Sequence, residues 1–212
     1  PLRLWRNLKA MNSLLIVGAG GHGKVVCDLA KNYYSEIIFA DDGKVGSEVL
    51  GCKVKFSVDG VLNGEKCDFI IAIGNNEIRK KLFLKFLEKG FTPVTLVHPS
   101  AIIGEEVEIG RGTVVFANAV INPQTKIGVG CIINTSALVE HDCEIGAFSH
   151  ICPAVKMAGT VKIGQECFIG IGSVIINNIS VESYITVGAG TVVVKDLLNL
   201  GTYVGNPAKK IK

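Results

Sequence analysis

Every sixth residue from Val97 to Val193 is aliphatic or Met: Val97, Ile103, Ile109, Val115, Ile121, Ile127, Ile133, Val139, Ile145, Ile151, Met157, Ile163, Ile169, Ile175, Val181, Val187 and Val193. With about half of residues apolar, an unbroken run of this length arises by chance on the order of once in 10⁴ or less, so the period is structural. The position two before each is mostly small: Ala101, Thr113, Ala119, Thr125, Cys131, Ala137, Cys143, Ser149, Cys167 and Ser173. The position just after is often Gly or Asn, at Gly104, Gly110, Asn122, Gly128, Asn134, Gly146, Gly164, Gly170 and Gly188. A six-residue period does not fit a helical repeat. It predicts a solenoid, a left-handed parallel β-helix with one hexapeptide per side and three per coil. Residues 99–194 then make about five coils. The aliphatic residue fills the prism, and the small residue also points inward because strand side chains alternate. The Gly and Asn positions read as corners that need unusual backbone angles.

Before residue 98 the pattern changes. Residues 14–17, 37–40, 68–73 and 94–97 read as strands, and residues 24–34 and 77–89 as helices. Alternating strands and helices predict a Rossmann-like α/β domain with a parallel sheet. The expected organisation is an extension over residues 1–10, a Rossmann-like nucleotide-sugar-binding domain over 11–98, and a β-helix with a C-terminal tail over 99–212.

Charge and cysteine content narrow the function classes. The formal charge of +3 is carried by Arg3, Arg6 and Lys9 in the segment ahead of Met11, so net charge gives no argument for nucleic acid or a membrane surface. No apolar run approaches the roughly 18 residues of a membrane span. Seven cysteines, an odd number without paired spacing, point to a reducing cytoplasm.

Gly18, Gly20, Gly21, His22 and Gly23 lie in a GxGxxG run between strand and helix, where glycines let a phosphate approach backbone N–H groups and the helix N-terminus. Asp41 and Asp42 follow about twenty residues later, where a carboxylate bonds a ribose or base. Gly74 and Asn75 sit after the third strand in the same way. A dinucleotide needs two such halves and only one is present. A Walker loop needs Ser or Thr where Val25 stands. A single-nucleotide site fits best, and a loop that merely turns tightly is the plain alternative.

GAGGHG at residues 18–23, FIIAIGNNEIRKK at 69–81, INTSALVEHDCEIG at 133–146 and VGNPAKKI at 204–211 together resemble the sialic acid O-acetyltransferase-like family. Within it they look closest to the UDP-4-amino-sugar N-acetyltransferases of bacillosamine biosynthesis. The resemblance spans residues 11–212. It implies a cytoplasmic enzyme that acetylates the C4 amine of a UDP-linked 4-amino-4,6-dideoxy-N-acetylglucosamine with acetyl-CoA as co-substrate, giving UDP-N,N'-diacetylbacillosamine. It also implies a homotrimer, no metal and no acyl-enzyme.

The resemblance makes His141 the general base, a role suited to imidazole near neutral pH. Its flanking carboxylate, Asp142, stands where close relatives often carry Glu, one methylene longer. Glu140, Asn134 and His22 are implied on the substrate side. His150 is implied in substrate or cofactor binding, on another side of the prism within one subunit and across a cleft in a trimer. Ala158-Gly159 is the expected oxyanion donor. Gly170, Gly172, Gly188 and Ala189 would let CoA approach, and Lys209 and Lys210 would meet its phosphates. Other readings are a sugar O-acetyltransferase, an N-acetyltransferase on another nucleotide-linked amino sugar, a zinc carbonic anhydrase that lacks a third histidine here, and a non-catalytic solenoid. A cysteine nucleophile is disfavoured because Cys131, Cys143 and Cys167 fall in the inward column.

Overall fold

The computed structural model describes residues 11–212. The extension expected over residues 1–10 lies outside the described residues. The chain divides into two compact units, one ending at Leu96 and the other running from Val97 to Lys212.

The first unit is a six-stranded sheet flanked by helices. In chain order come β1 (Met11–Val17), α1 (Gly21–Ala30), β2 (Tyr34–Ala40), β3 (Glu48–Val49), β4 (Cys52–Phe56), α2 (Val58–Leu62), β5 (Asp68–Ile71), α3 (Asn76–Glu88) and β6 (Thr92–Pro93). The sheet order is β3-β4-β2-β1-β5-β6, parallel except for the β3–β4 hairpin. The continuous apolar runs of β1 and β5 suit a sheet covered on both faces. Phe69 of β5 stacks on Phe86 of α3 at 5.2 Å between centroids and meets Phe91 edge-on.

The structure corrects the predicted elements here. The first helix starts at Gly21 and stops at Ala30, so Tyr34 opens β2. The β3–β4 hairpin and α2 were not predicted. Of the strand expected at 94–97, only Leu96–Val97 is a strand, at the edge of a β-helix sheet, while Thr92–Pro93 just before it pairs with β5.

The second unit is a left-handed parallel β-helix built of two-residue strands. Residues 18 apart pair, as in Val114↔Ile132 and Ile132↔His150. We call the three sides face one (with Ile132–Ile133 and His150–Ile151), face two (with Leu138–Val139 and Lys156–Met157) and face three (with Glu144–Ile145 and Lys162–Ile163). The six-residue aliphatic column lines the prism and is buried everywhere except at Ile103 and Ile109 in the first coil.

The small inward column carries more than packing. Thr113, Thr125, Ser149 and Ser173 each donate to the carbonyl fifteen residues on, and Cys131, Cys143 and Cys167 do the same through sulfur. Ser149 Oγ also accepts from the Cys167 N–H at 2.9 Å. Replacing Ser149 with alanine therefore removes both bonds, to the half-buried Gly164 carbonyl and from the buried Cys167 N–H. The expected loss is ~1–3 kcal/mol, read as a fall of ~2–10 °C in thermal midpoint.

The corners work differently from the sequence reading. The left-handed residue is three after each aliphatic position, not one after. It recurs from Glu106 to Gly190 and is most often not glycine: Asn118, Gln124, Ser136, Asp142, Phe148 and Ala154 all have φ between 57° and 61°. From Gln124 on, its N–H is taken by a carbonyl of the previous coil, as Asp142 donates to Pro123, and Asn118 donates to the Ser100 hydroxyl; these bonds offset the cost of the conformation. The glycines one after, on face three, answer a steric demand instead. A Cβ on Gly110 or Gly128 would lie 2.6 Å from backbone of the next coil, and Gly146 and Gly164 are tighter still.

Outward positions differ by face. Face three alternates Glu108, Lys126, Glu144 and Lys162, with Lys162 3.2 Å from Glu144. Face two presents Ile102, Val120, Leu138, Val174 and Val192, interrupted by Lys156. Neither is the flat threonine array of an inert surface-binding solenoid.

Candidate functional site

The corner after Leu138–Val139 carries His141 and Asp142. His141 Nδ1 and Asp142 Oδ2 are 2.7 Å apart. Asp142 occupies the left-handed corner position, φ 58°, and from there its shorter side chain still reaches the ring. A carboxylate only accepts, so Nδ1 carries the proton of the neutral ring and Nε2 its lone pair. Both side chains are about half exposed, 59% and 48%, so the pair is open to solvent.

The ring is seated on the next coil. A Cβ on Gly159 would lie 2.6 Å from both Cε1 and Nε2 of His141, so only glycine leaves the ring this position. The His141 carbonyl takes the Thr160 N–H at 2.9 Å, locking the two corners together. No chain carbonyl takes the Gly159 N–H among the described residues. Glu140 is fixed from the coil below, where Asn122 Nδ2 donates to its Oε2 at 2.8 Å. The sequence reading missed Asn122; its register, 18 residues before Glu140, was the available signal.

A second cluster sits on face one. Asn134 Oδ1 accepts from the Thr135 N–H, so its amide donates to His150 Nε2 at 3.0 Å. His150 is buried and meets Phe168 edge-on at 5.2 Å. Asn134, expected on the substrate side, and His150, expected to bind substrate or cofactor, are thus one hydrogen-bonded pair. Within one chain they lie on face one and its corner, while His141 lies at the corner between faces two and three.

The expected CoA glycines divide. Ala189 occupies the space beside Gly170, and Val204 that beside Gly188, so chain packing explains both glycines. Gly172 is left-handed and open, as is Gly190 one coil on, which the sequence reading passed over. Exposed Ile171 and Val174 adjoin Gly172. Lys209 and Lys210 form an exposed strand that extends face one antiparallel to Thr202–Val204.

In the first unit the glycine run is partly structural. Gly18 (φ 105°) backs onto Ala72 and Ile73, and Gly23, already helical, packs against the Gly18 carbonyl. Gly20 and Gly21 face open space. Asp41 Oδ2 accepts the Ala19 N–H at 2.8 Å and its Oδ1 accepts from Gly43; Asp42 Oδ1 accepts from Val58. The two carboxylates therefore brace the loop as well as lining a cavity of about 470 Å³ with Gly18, Ile78, Lys81 and Lys85. His22, Gly23, Gly74 and Asn75 do not line it. Asn75 caps α3 by accepting from Ile78.

Gly74 is held by a residue the sequence reading overlooked. Arg79 is 1% exposed and donates to the carbonyls of Ile73 and Gly74 and to Asn76. The run Glu77-Ile-Arg-Lys-Lys looks like a solvated face, but Arg79 shares the buried face with Phe83 and Phe86, at the i, i+4, i+7 spacing. Burial, together with the Arg79 charge, lowers the His22 pKa from 6.5 to about 4. His22 is therefore neutral at pH 7, a hydrogen-bonding group rather than a cation. The unfolded chain binds a proton below pH 6.5 that the folded chain refuses until about pH 4. The stability tied to this group is full above pH 6.5 and lost as pH falls towards 4. Moving from pH 7 to pH 5 is expected to cost ~1–2 kcal/mol, measured by urea unfolding, and His22→Gln should flatten that slope.

Burial also pushes the Cys167 thiol to about 11 and raises Cys143, which leaves neither as a ready nucleophile. Among the described residues no group of three or more His, Cys, Asp or Glu is placed to hold a metal, and no helix is long and apolar enough to cross a membrane.

Comparison with known proteins bears on the whole chain. Residues 13–86 match the PglD N-terminal domain. The chain is 30% identical over 217 residues to GDP-perosamine N-acetyltransferase of Escherichia coli O157:H7, covering 95% of this chain and 97% of that protein. It is 36% identical over 118 residues to UDP-N-acetylbacillosamine N-acetyltransferase of Bacillus subtilis (strain 168), covering 50% of this chain and 51% of that one. The acetyltransferase domain of PglB from Neisseria gonorrhoeae FA1090, solved with acetyl coenzyme A, superposes with a TM-score of 0.91 at 40% identity, covering 95% of this chain and all of that one.

Proposed function

The chain belongs to the nucleotide-sugar N-acetyltransferase family that carries the PglD N-terminal domain, and from that premise we propose that it transfers acetyl from acetyl-CoA to the C4 amine of a UDP-linked 4-amino-4,6-dideoxy-N-acetylglucosamine. The product is UDP-N,N'-diacetylbacillosamine. The observation that carries the reading is the His141–Asp142 pair seated on Gly159: a base with its tautomer fixed, beside an N–H that no chain carbonyl takes. The kinship supports acetyl-CoA as donor, because a structure 40% identical to this chain was solved with it.

The chemistry needs no covalent enzyme intermediate. The neutral amine attacks the thioester carbonyl while His141 Nε2 takes its proton. Charge gathers on the carbonyl oxygen, and the Gly159 N–H donates to it. The carbon–sulfur bond then breaks, and His141 returns its proton to the departing thiolate, giving CoA and the amide. Asp142 stabilises the imidazolium throughout. Glu140, braced by Asn122, faces the acceptor side.

We assign the nucleotide to the first unit, at the cavity beside Gly18, Asp41 and Asp42, with Gly20 and Gly21 leaving room at the helix start. His22, Gly23, Gly74 and Asn75 support that region. We assign CoA to the open corner of Gly172 and Gly190, with Ala158, Ala189 and Lys209 along its course and Asn134–His150 completing the acyl site from a neighbouring subunit. The outward apolar column of face two, with Ile102 62% exposed, supports packing against further copies in a homotrimer. Cysteines held as thiols suit a cytoplasmic setting.

Relatives acting on GDP-perosamine give the second reading, a GDP-linked amino sugar as acceptor. Initial rates of thiol release from acetyl-CoA decide between them. The UDP-4-amino sugar should exceed GDP-perosamine in kcat/KM by ~10-fold or more; the reverse order would move the chain to the perosamine branch.

A further inference from the structure

The proposed chemistry uses none of the seven cysteines, and most are accounted for by packing. Cys131, Cys143 and Cys167 fill the inward column, and Cys152 is buried beside it. Cys27 and Cys52 differ. They come from separate elements of the first unit, α1 and β4, and their sulfurs touch at 3.7 Å.

We propose that Cys27 and Cys52 are an oxidative modification site, closing to a reversible disulfide when the chain meets a small-molecule disulfide. The geometry is close to that product. A disulfide is about 2.05 Å long, so the sulfurs must approach by roughly 1.6 Å. The two elements are already pinned together, because Lys31 at the end of α1 donates to the Leu50 carbonyl at 2.8 Å in the turn that leads into β4. Leu50 and Gly51 in that turn are both left-handed, φ 50° and 80°, which places Cys52 at the first position of the strand against α1.

Exposure sets the order of events. Cys52 is half-buried and Cys27 fully buried. The Cys52 thiolate attacks one sulfur of the external disulfide and expels one thiolate, leaving a mixed disulfide. Cys27 then gives its proton to solvent and attacks the Cys52 sulfur, expelling the second thiol. Two protein thiols are oxidised and one external disulfide is reduced to two thiols. Burial and the neighbouring Cys52 push the Cys27 thiol up to about 12, so this second step sets the pace and quickens with pH.

The closed ring spans residues 27–52. It contains β2 and both Asp41 and Asp42, the carboxylates that brace the glycine loop and line the cavity. Oxidation would thus act on one wall of that cavity and leave the β-helix chemistry untouched.

The test uses the full chain, incubated natively with glutathione disulfide at pH 7 and pH 9, quenched with acid, alkylated and mapped by non-reducing peptide mass spectrometry. The expected result is a Cys27–Cys52 linked peptide that forms ~10-fold or more faster at pH 9, in keeping with thiolate control, and disappears with dithiothreitol. It should be absent from Cys52→Ser and retained in Cys67→Ser, a conservative change elsewhere in the unit. Persistent glutathione on Cys52 with Cys27 still reduced would overturn the proposal. So would a link that forms only in urea.

Discussion

Replacing His141 with alanine is expected to lower kcat/KM for acetyl transfer by ~10²–10⁴, the usual worth of a positioned general base. The fold and acetyl-CoA binding should survive, because the side chain is more than half exposed and, among the described residues, its only polar tie is to Asp142. Asp142→Asn should fall between wild type and His141→Ala. An amide keeps the shape but can present its N–H to Nδ1, which favours the wrong tautomer. Steady-state thiol release and isothermal titration with acetyl-CoA separate the two effects. A His141→Ala enzyme that keeps its rate would remove the base from the account.

The second large effect concerns stability. Gly146→Ala places a methyl against the backbone of Gly164 and Gln165, atoms that cannot move without opening the coil. The cost expected is ~2–4 kcal/mol, seen as a drop of ~5–15 °C in thermal midpoint. Ser136→Gly is the contrast. Ser136 is exposed and sits at a left-handed corner, φ 57°. Glycine accepts that conformation freely, so the change should stay within ~0.5 kcal/mol. The pair distinguishes glycines required by close approach from corners required by backbone angle.

That distinction marks where sequence reading stopped. The aliphatic column was legible because it is a side-chain demand repeated seventeen times, and the small column because it recurs in the same register at most coils; the structure buries nearly all of both. The reason for the glycines was not. A sequence shows that Gly146 recurs in register with Gly128 and Gly164 but not whether space or φ requires it. The left-handed positions, holding Gln124, Asp142 and Phe148, carry no compositional signal, because an inter-coil hydrogen bond offsets what side-chain type does not.

The first unit shows the same division. The glycine run and Asp41 were legible as a loop with a carboxylate partner, yet that carboxylate bonds the Ala19 N–H of the same chain. The β3–β4 hairpin escaped because two- and five-residue strands offer too little alternation. Arg79 escaped because a buried arginine amid lysines looks solvated until Phe83 and Phe86 are placed on its face. His141 and Asp142 were legible as neighbours. The seat under the ring was not, because Gly159 is 18 residues away in sequence and adjacent only once the coil closes.

The central claim is amide formation at a sugar nitrogen by direct transfer from acetyl-CoA. The most direct measurement is nuclear magnetic resonance of the product formed from acetyl-CoA and the UDP-4-amino sugar, with CoA release followed in the same tube. The account predicts one acetyl group on the C4 nitrogen, one CoA per product, and resistance to hydroxylamine. An ester on a sugar hydroxyl, cleaved by hydroxylamine, would contradict it, as would no acetylated sugar at all.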